Sequence, residues 1–213
     1  MSYKTISGNA EARFIEKKSE FIGYIRHTET EQEAITFINE IRAMHRKATH
    51  NCYAYILRDN NISRHSDDGE PSGTAGAPIY EVLKKEGLTD ITCVVTRYFG
   101  GILLGAGGLV RAYTQGAKLA VDSAEVLNMC PAARLRLTLA YPLYGKIGKT
   151  LAEFDARTES EDFSAEVAIT LVIRSKQADG LSAALTDVLG RIADICSGNI
   201  SVQKIEELEY NFG

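Results

Sequence analysis

The stretch Ile91–Tyr113, ITCVVTRYFGGILLGAGGLVRAY, decides how the first part of the chain is organised. It begins with a β-rich run, Ile91–Phe99, which predicts a buried strand. Five glycines follow between Gly100 and Gly108. Apolar residues at helical spacing from Leu109 onward predict a long helix after this loop. The order strand, glycine-rich loop, helix places accessible backbone N–H groups at the start of a helix.

This glycine-rich loop has the composition of an anion-binding loop. Glycines let the backbone approach a ligand, and a helix N-terminus favours phosphate. Arg97 and Arg111 flank the loop and could clamp an anion. Arg111 falls near the helix start, where the dipole disfavours a cation, which favours a ligand or a carboxylate such as Asp68 as its partner. The loop matches neither a P-loop nor a Rossmann fingerprint. Close packing of the helix on a sheet would also explain the glycines, which are Gly100, Gly101, Gly105, Gly107 and Gly108.

A second unusual stretch, His65–Gly76 (HSDDGEPSGTAG), precedes the glycine-rich loop by about one helix and one strand. Its carboxylates, Asp67, Asp68 and Glu70, could hold a hard cation or supply acid and base groups. The residues are also typical of a turn, in which Ser72 or Thr74 would cap the next helix. The spacing matches no known metal motif, so we expect no transition-metal site. Gly69, between Asp68 and Glu70, is also a candidate site residue.

A third segment ends a predicted helix and begins a strand. Basic residues near a helix C-terminus complement its dipole, which accounts for Arg46 and Lys47. His50 and Asn51 open the strand, and we expect both to face the same cavity as the two loops. We expect Cys52 to point away from His50, and we propose no thiol nucleophile here.

The rest of the chain divides into two α+β domains, 1–130 and 131–213, with the boundary at Asn128–Ala133, where helical periodicity ends. The second domain reads β-α-β-β-α-β, which predicts a ferredoxin-like fold with both helices on one face of an antiparallel sheet. In the first domain the predicted elements are a strand at Phe14–Arg26, a helix with a Thr30/Glu33 capping box, strands Asn51–Arg58 and Ile62–Ser66, and a helix at Pro78–Glu86. In the second they are a strand at Leu135–Tyr141, a helix from Pro142, a polar segment Asp155–Ser164, a strand at Val167–Ile173, a helix at Leu181–Ile192 and a strand at Ile200–Tyr210.

Composition limits the function. The 213 residues include 24 Lys+Arg and 28 Asp+Glu, giving a net charge of −4, which excludes a generally basic nucleic-acid wrapper but not a local basic patch. No apolar run approaches the roughly 20 residues that span a bilayer. The start of the chain has no apolar signal-peptide region, and the scattered cysteines fit reduced thiols. We therefore expect a cytoplasmic protein with no membrane partner.

Three motifs together resemble one family. Ala48–Tyr55 (ATHNCYAY), Ser66–Gly76 (SDDGEPSGTAG) and Val95–Tyr113 closely match the signature of the YigZ/IMPACT family. The second domain resembles the C-terminal extension of its bacterial members, which is similar to a ferredoxin-like domain of elongation factor G. The resemblance implies a ribosomal protein S5 domain 2-like fold for the first domain, a superfamily that includes small-metabolite kinases and RNA-processing proteins.

The resemblance also bears on function. Eukaryotic IMPACT relatives regulate translation initiation by binding an activator of a stress kinase. That partner is not expected here, because the chain lacks the extra N-terminal domain of those relatives. For the bacterial members the family gives no established reaction, and fold analogy to kinases or RNA binders is associational.

Two functional hypotheses follow. The first is a cytoplasmic, non-enzymatic, translation-linked protein that binds RNA, the ribosome or a translation factor through the cleft of the first domain. The alternative is an enzyme or sensor for a phosphorylated metabolite or nucleotide, using Arg97 and Arg111 on phosphate and the acidic residues on Mg²⁺ or as a base. Neither hypothesis includes a bound cofactor. The residues expected to converge on one surface are His50, Asn51, Asp67, Asp68, Gly69, Glu70, Ser72, Thr74, Arg97, Gly100, Gly101, Gly105, Gly107, Gly108 and Arg111.

Overall fold

The computed structural model describes residues 2–196 and 200–212. It has two compact units, Tyr3–Asn128 and Met129–Phe212. None of the described helices is long and apolar enough to cross a bilayer. The elements of the first unit are β1 (Tyr3–Ile6), β2 (Asn9–Glu16), β3 (Ser19–His27), α1 (Glu31–Met44), β4 (His50–Leu57), β5 (Ile62–Ser66), α2 (Gly76–Glu86), β6 (Ile91–Tyr98) and α3 (Ala106–Asp122).

The first unit is built around a five-stranded sheet of order β2-β3-β6-β4-β5, in which neighbouring strands are antiparallel. Helix α1 packs on one face with Val94, and α2 and α3 pack on the other with Cys93 and Val95. Because side chains alternate along a strand, Arg97 shares the face of Cys93 and Val95. This alternation directs Arg97 toward α2 and α3.

Two glycines allow α3 to lie close to β3. A Cβ on Gly23 would come 2.3 Å from the carbonyl oxygen of Gly116, and a Cβ on Gly116 would come 2.9 Å from a methyl group of Val95. Neither distance is acceptable for a carbon atom. Close helix packing therefore explains these two glycines, which lie outside the glycine-rich loop.

The second unit has the strand order and helix placement of a ferredoxin-like fold. Its elements are β7 (Val126–Leu139), α4 (Tyr141–Tyr144), α5 (Gly148–Glu153), β8 (Arg157–Phe163), β9 (Val167–Arg174), α6 (Ala178–Cys196) and β10 (Ile200–Asn211). The strand order β10-β7-β9-β8 is antiparallel throughout, and α4 to α6 share one core with Leu135, Leu137, Ile169 and Leu171. The predicted α+β class is confirmed.

The structure corrects several boundaries. The segment Phe14–Arg26 is not one strand, because Lys17 and Lys18 adopt positive φ angles of 46° and 64° and turn β2 back into β3. The helix expected from Pro142 is two short helices separated by residues 145–147. The polar segment Asp155–Ser164 contains strand β8. The division between the two units falls within the stretch Asn128–Ala133, which is part of strand β7.

Candidate functional site

A cavity of about 410 Å³ lies where the end of β6 meets the loop before α2 and the start of α3. We call it the Arg97 cavity. Five of the fifteen predicted residues line it: His50, Gly69, Glu70, Arg97 and Gly105. The other ten do not, and these are Asn51, Asp67, Asp68, Ser72, Thr74, Gly100, Gly101, Gly107, Gly108 and Arg111. The lining residues are Thr49, His50, Gly69, Glu70, Pro71, Arg97, Phe99, Leu103, Leu104, Gly105, Ala106 and Leu109.

A buried ion pair forms the inner wall of the Arg97 cavity. Nη1 of Arg97 donates to Oε1 of Glu70 over 2.6 Å, and the hydroxyl of Tyr113 donates to the same oxygen over 2.8 Å. The Arg97 and Glu70 side chains are only 6% and 3% exposed. Glu70 is therefore already engaged by two donors, which opposes its expected role as a Mg²⁺ ligand or a general base.

The guanidinium of Arg97 is held from several sides. Its Nη2 lies 3.4 Å from Oγ of Ser19, which also accepts from the backbone N–H of Gly100 at 3.1 Å. The rings of Phe21 and Phe99 lie 5.5 Å and 5.4 Å from its Cζ. Within the part of the chain that the structure describes, Nε of Arg97 is buried and has no hydrogen-bond partner. One donor of this arginine is thus buried without an acceptor among the described residues.

His50 lies beside the ion pair with a defined ring orientation. Its Nδ1 is 2.8 Å from the carbonyl oxygen of Asp68, and its Nε2 is 3.9 Å from Oε1 of Glu70. A carbonyl only accepts hydrogen bonds, so Nδ1 carries the proton that is donated to Asp68. In the neutral ring, Nε2 then carries the lone pair next to the cavity.

Asp68 binds on the side of α1, away from Arg111. One carboxylate oxygen accepts from Arg42 at 2.7 Å, and the other accepts from the backbone N–H of Asn51 at 2.7 Å. The Asn51 side chain is bonded to the hydroxyl of Thr96 at 2.8 Å. The expected pairing of Asp68 with Arg111 is therefore wrong, because Arg42 at the end of α1 reaches Asp68 instead.

Asp67 does the capping that we expected from Ser72 or Thr74. Its carboxylate accepts from the N–H groups of Gly73, Ala75 and Gly76, at 2.9, 3.0 and 2.8 Å. Burial by itself would raise the pKa of Asp67, but these three donors outweigh it and lower the pKa below its ordinary value. The Thr74 hydroxyl donates to the carbonyl of Pro71 instead, and Ser72 is exposed.

The glycines of the loop serve different purposes. Gly100 is a packing position, because a Cβ there would lie 2.0 Å from the backbone of Lys18. Gly101 and Gly105 have positive φ angles of 84° and 71°, and a side chain on either would meet nothing. Their role is conformational. Gly107 and Gly108 lie in the exposed first turn of α3, where N–H groups have no partner within the helix.

Arg111 lies in a separate, smaller cavity of about 150 Å³, which we call the Arg111 cavity. The expected clamp of one anion by Arg97 and Arg111 is not formed, because Arg97 faces the Arg97 cavity from the sheet and Arg111 is exposed on α3. Leu104 lines both cavities, which makes them neighbours. The other residues around the Arg111 cavity are Glu16, Lys17, Gly108, Ala112 and Gln115.

Cys52 is buried on the same face as His50, so the expectation that it points away was wrong. Residues two apart on a strand share a face. Its thiol donates to the carbonyl of Asp67 at 2.9 Å, and burial raises the pKa of the thiol well above its ordinary range. An uncharged thiol in this position is a packing group and not a nucleophile.

Several residues that line the Arg97 cavity or bond to its lining residues were not predicted. Tyr113 was assigned to the core by its helical spacing, and its hydroxyl contact with Glu70 has no signal in the sequence. Ser19 forms its bonds only because the β2–β3 turn brings it beside Gly100. Phe99 and Leu103 are exposed apolar residues within the glycine-rich loop, at 45% and 82% exposure. Large apolar side chains in a glycine-rich loop were a signal that the sequence contained.

The comparisons with known proteins agree with this fold. Residues 17–121 match the Impact N-terminal domain, and residues 137–190 match the Domain of unknown function (DUF1949). The chain is 38% identical to the IMPACT family member YvyE of Bacillus subtilis (strain 168), over 98% of this chain and 99% of that protein. It is 34% identical to the IMPACT family member YigZ of Escherichia coli (strain K12), over 90% and 92%.

A solved structure also matches across both units. A protein described as "Crystal structure of an hypothetical protein" is 32% identical, with a TM-score of 0.60, over 96% of this chain and 98% of that one. The class is thus a two-domain α+β protein with an S5 domain 2-like first domain and a ferredoxin-like second domain. The chain belongs to the IMPACT family.

Proposed function

We propose that this protein is a cytoplasmic, translation-linked binding protein that contacts RNA, the ribosome or a translation factor through the Arg97 cavity. Its role is binding without catalysis. The observation that carries the proposal is the contrast between the inside and the rim of the cavity. Phe99 and Leu103 leave apolar surface exposed around a buried, charged wall formed by Arg97 and Glu70. Exposed apolar residues beside polar groups mark interaction sites.

Two further points support binding over catalysis. Asp67, Asp68 and Glu70 are each engaged by donors of the protein itself, and the Cys52 thiol is protonated. The link to translation rests on the family, because the motifs of the first domain resemble those of the eukaryotic IMPACT relatives, which regulate translation initiation.

Co-sedimentation with purified ribosomes tests this function. Leu103→Asp places a charge on the rim of the Arg97 cavity and is expected to reduce the bound fraction at least several-fold. Ile35→Asp is the matched control, because Ile35 is an exposed aliphatic residue on α1, across the sheet from the cavity. Equal binding by both variants, or no binding by the unmodified protein, would contradict the proposal.

A second candidate is a sensor or enzyme for a phosphate-bearing metabolite. The volume of about 410 Å³ favours it, because small-molecule sites commonly have volumes of about 300–1,000 Å³. A thermal-shift screen of nucleotides and sugar phosphates tests this candidate. A ligand that binds the folded state stabilises it by RT ln(1 + [L]/Kd) and so raises the melting temperature with the logarithm of its concentration, and a screen without any shift argues against this candidate.

A further inference from the structure

We propose that the ligand of this cleft is single-stranded RNA of at least two nucleotides. One nucleotide occupies the Arg97 cavity, and the adjoining phosphate lies in the Arg111 cavity. This inference rests on the proposed function, since it names the ligand of the same cleft. It is carried by four features: a buried donor without a partner, an acceptor beside it, an exposed aromatic ring, and two cations in the neighbouring cavity.

The buried donor is Nε of Arg97. The side chain is 6% exposed, and its other nitrogens are bonded to Glu70 and Ser19. Among residues 2–196 and 200–212, Nε has no such partner. A buried donor without an acceptor is costly, and phosphate oxygens are favoured acceptors for guanidinium groups. A phosphate bound in the Arg97 cavity would supply this acceptor if the side chains that cover Nε move aside on binding.

The acceptor is Nε2 of His50. Because Nδ1 donates to the carbonyl of Asp68, Nε2 of the neutral ring can accept a hydrogen bond from a hydroxyl group. The 2′-hydroxyl of ribose is such a donor, and it is the group that distinguishes RNA from DNA. His50 and Arg97 line the same cavity, so a ribose and its phosphate would be recognised together.

The aromatic ring is that of Phe99, which is 45% exposed beside the 82% exposed Leu103. An exposed ring of this kind is a stacking platform for an unpaired base, and stacking tolerates any base sequence. Arg97 lies beneath the same ring, with Cζ 5.4 Å from its centroid. Base and phosphate would thus bind on adjacent groups.

The neighbouring Arg111 cavity extends this pattern by one phosphate. Lys17 and Arg111 are exposed, and none of the ion pairs found among the described residues involves them. Glu16 is the acidic residue of this lining, so the cavity carries one excess positive charge. Nη1 of Arg111 also lies 3.7 Å from where a Cβ of Gly107 would stand, over the first turn of α3. Leu104 lines both cavities, so the two lie side by side.

A folded protein partner would not need this arrangement. Alternation of an aromatic platform with positively charged groups follows the alternation of base and phosphate in a nucleic acid strand. The acidic net charge of −4 fits binding at one built site over binding along a general basic surface.

Isothermal titration with uridine oligonucleotides of increasing length, starting from uridine monophosphate, tests the inference on the full chain. We expect affinity to rise by roughly tenfold from one nucleotide to two, corresponding to one charged phosphate contact. Lys17→Ala with Arg111→Ala removes this gain and leaves monophosphate affinity unchanged. The salt dependence of oligonucleotide binding also falls by about 0.7 in log–log slope for the lost phosphate. Lys85→Ala with Lys149→Ala removes two exposed lysines elsewhere and is the control.

The outcomes separate the parts of the inference. Equal affinity for all lengths, or an unchanged length effect in the Lys17/Arg111 double variant, overturns the second subsite. Equal affinity for the matching deoxyribonucleotides overturns the assignment to RNA. Ribosome binding without binding of any oligonucleotide overturns a nucleic-acid ligand in favour of a protein partner and leaves the proposed function intact. If the double variant fails to fold, Lys17→Glu gives the same comparison at the exposed turn.

Discussion

Arg97 and Glu70 are both removed from solvent, and each is the charge partner of the other. Such a pair contributes little net stability, because desolvation offsets the attraction between the charges. Loss of one partner is different, since it leaves a buried charge without compensation. Arg97 would keep Ser19 as a neighbour, and none of the ion pairs among the described residues gives it a second carboxylate.

Glu70→Ala is therefore expected to lower the free energy of unfolding of the first unit by about 3–5 kcal/mol. Urea denaturation followed by circular dichroism measures the change. Glu11→Ala is the control, because Glu11 pairs with Arg13 at an exposed site and its loss costs at most about 1 kcal/mol. A Glu70 variant as stable as the Glu11 variant would contradict the burial of this pair.

At the scale of residues, the sequence indicated some of this site and missed the rest. The position of Arg97 next to the glycine-rich loop singled it out. Nothing in the spacing of Asp67, Asp68 and Glu70 distinguished the helix cap from the two ion-pair partners. Their roles are set by contacts with residues far away in the sequence, which no local pattern contains.

Among the elements, α2 shows how a cap is placed without the usual signal. Its N-cap residue, Ala75, has no side chain for hydrogen bonding. Asp67 instead reaches across the loop to the N–H groups of Ala75 and Gly76. By contrast, the capping box of α1 was predicted from Thr30 and Glu33 and is present, because that motif is local.

Asp67→Asn is expected to destabilise the protein by about 1 kcal/mol at neutral pH, the usual cost of a weakened cap. The pKa of Asp67 is lower in the folded state than its ordinary value of 3.8, so its contribution is present above about pH 4 and is lost as the pH falls through the folded value. The difference between variant and unmodified protein should narrow below about pH 4.

Thermal unfolding across this pH range measures the effect, with Asp59→Asn as the control at an exposed acidic residue. If the stability difference between Asp67→Asn and the unmodified protein stays constant below about pH 4, the charge of Asp67 has no part in the cap.

The β2–β3 hairpin is an element that the sequence did not reveal. Two-residue turns with positive φ are usually signalled by Asn-Gly or Asp-Gly. Lys17 and Lys18 adopt this conformation without such a signal, and the apolar residues on both sides look like one continuous strand. The turn is evident only from the structure, in which β3 pairs with both β2 and β6.

At the scale of the whole molecule, hydrogen bonding and exposure of the backbone indicate which segment a protease cuts first. In the stretch Asn128–Ala133, where we placed the domain boundary, the residues from Met129 onward pair with β10 inside strand β7. The glycine-rich loop instead carries Ile102 and Leu103, which are 40% and 82% exposed and lie outside helices and strands. Backbone held in a ladder is a poor protease substrate, and exposed loops are preferred.

Limited proteolysis with thermolysin, which cleaves before large apolar residues, is therefore expected to cut first within Gly101–Leu104. Mass spectrometry of the earliest fragments identifies the site. A first cut between Asn128 and Ala133 would show that β7 opens more readily than its pairing implies.

The most direct test of the central claim is a site-specific cross-link from the rim of the Arg97 cavity. A photoreactive benzoylphenylalanine replaces Phe99 in one variant and Phe163 in another, because both are exposed phenylalanines, at 45% and 53%, in different units. With purified ribosomes, we expect irradiation to join the position 99 variant to ribosomal RNA or protein and to leave the position 163 variant uncoupled. Cross-links from position 163 alone, or from neither position while the protein still sediments with ribosomes, would contradict the cleft as the binding site.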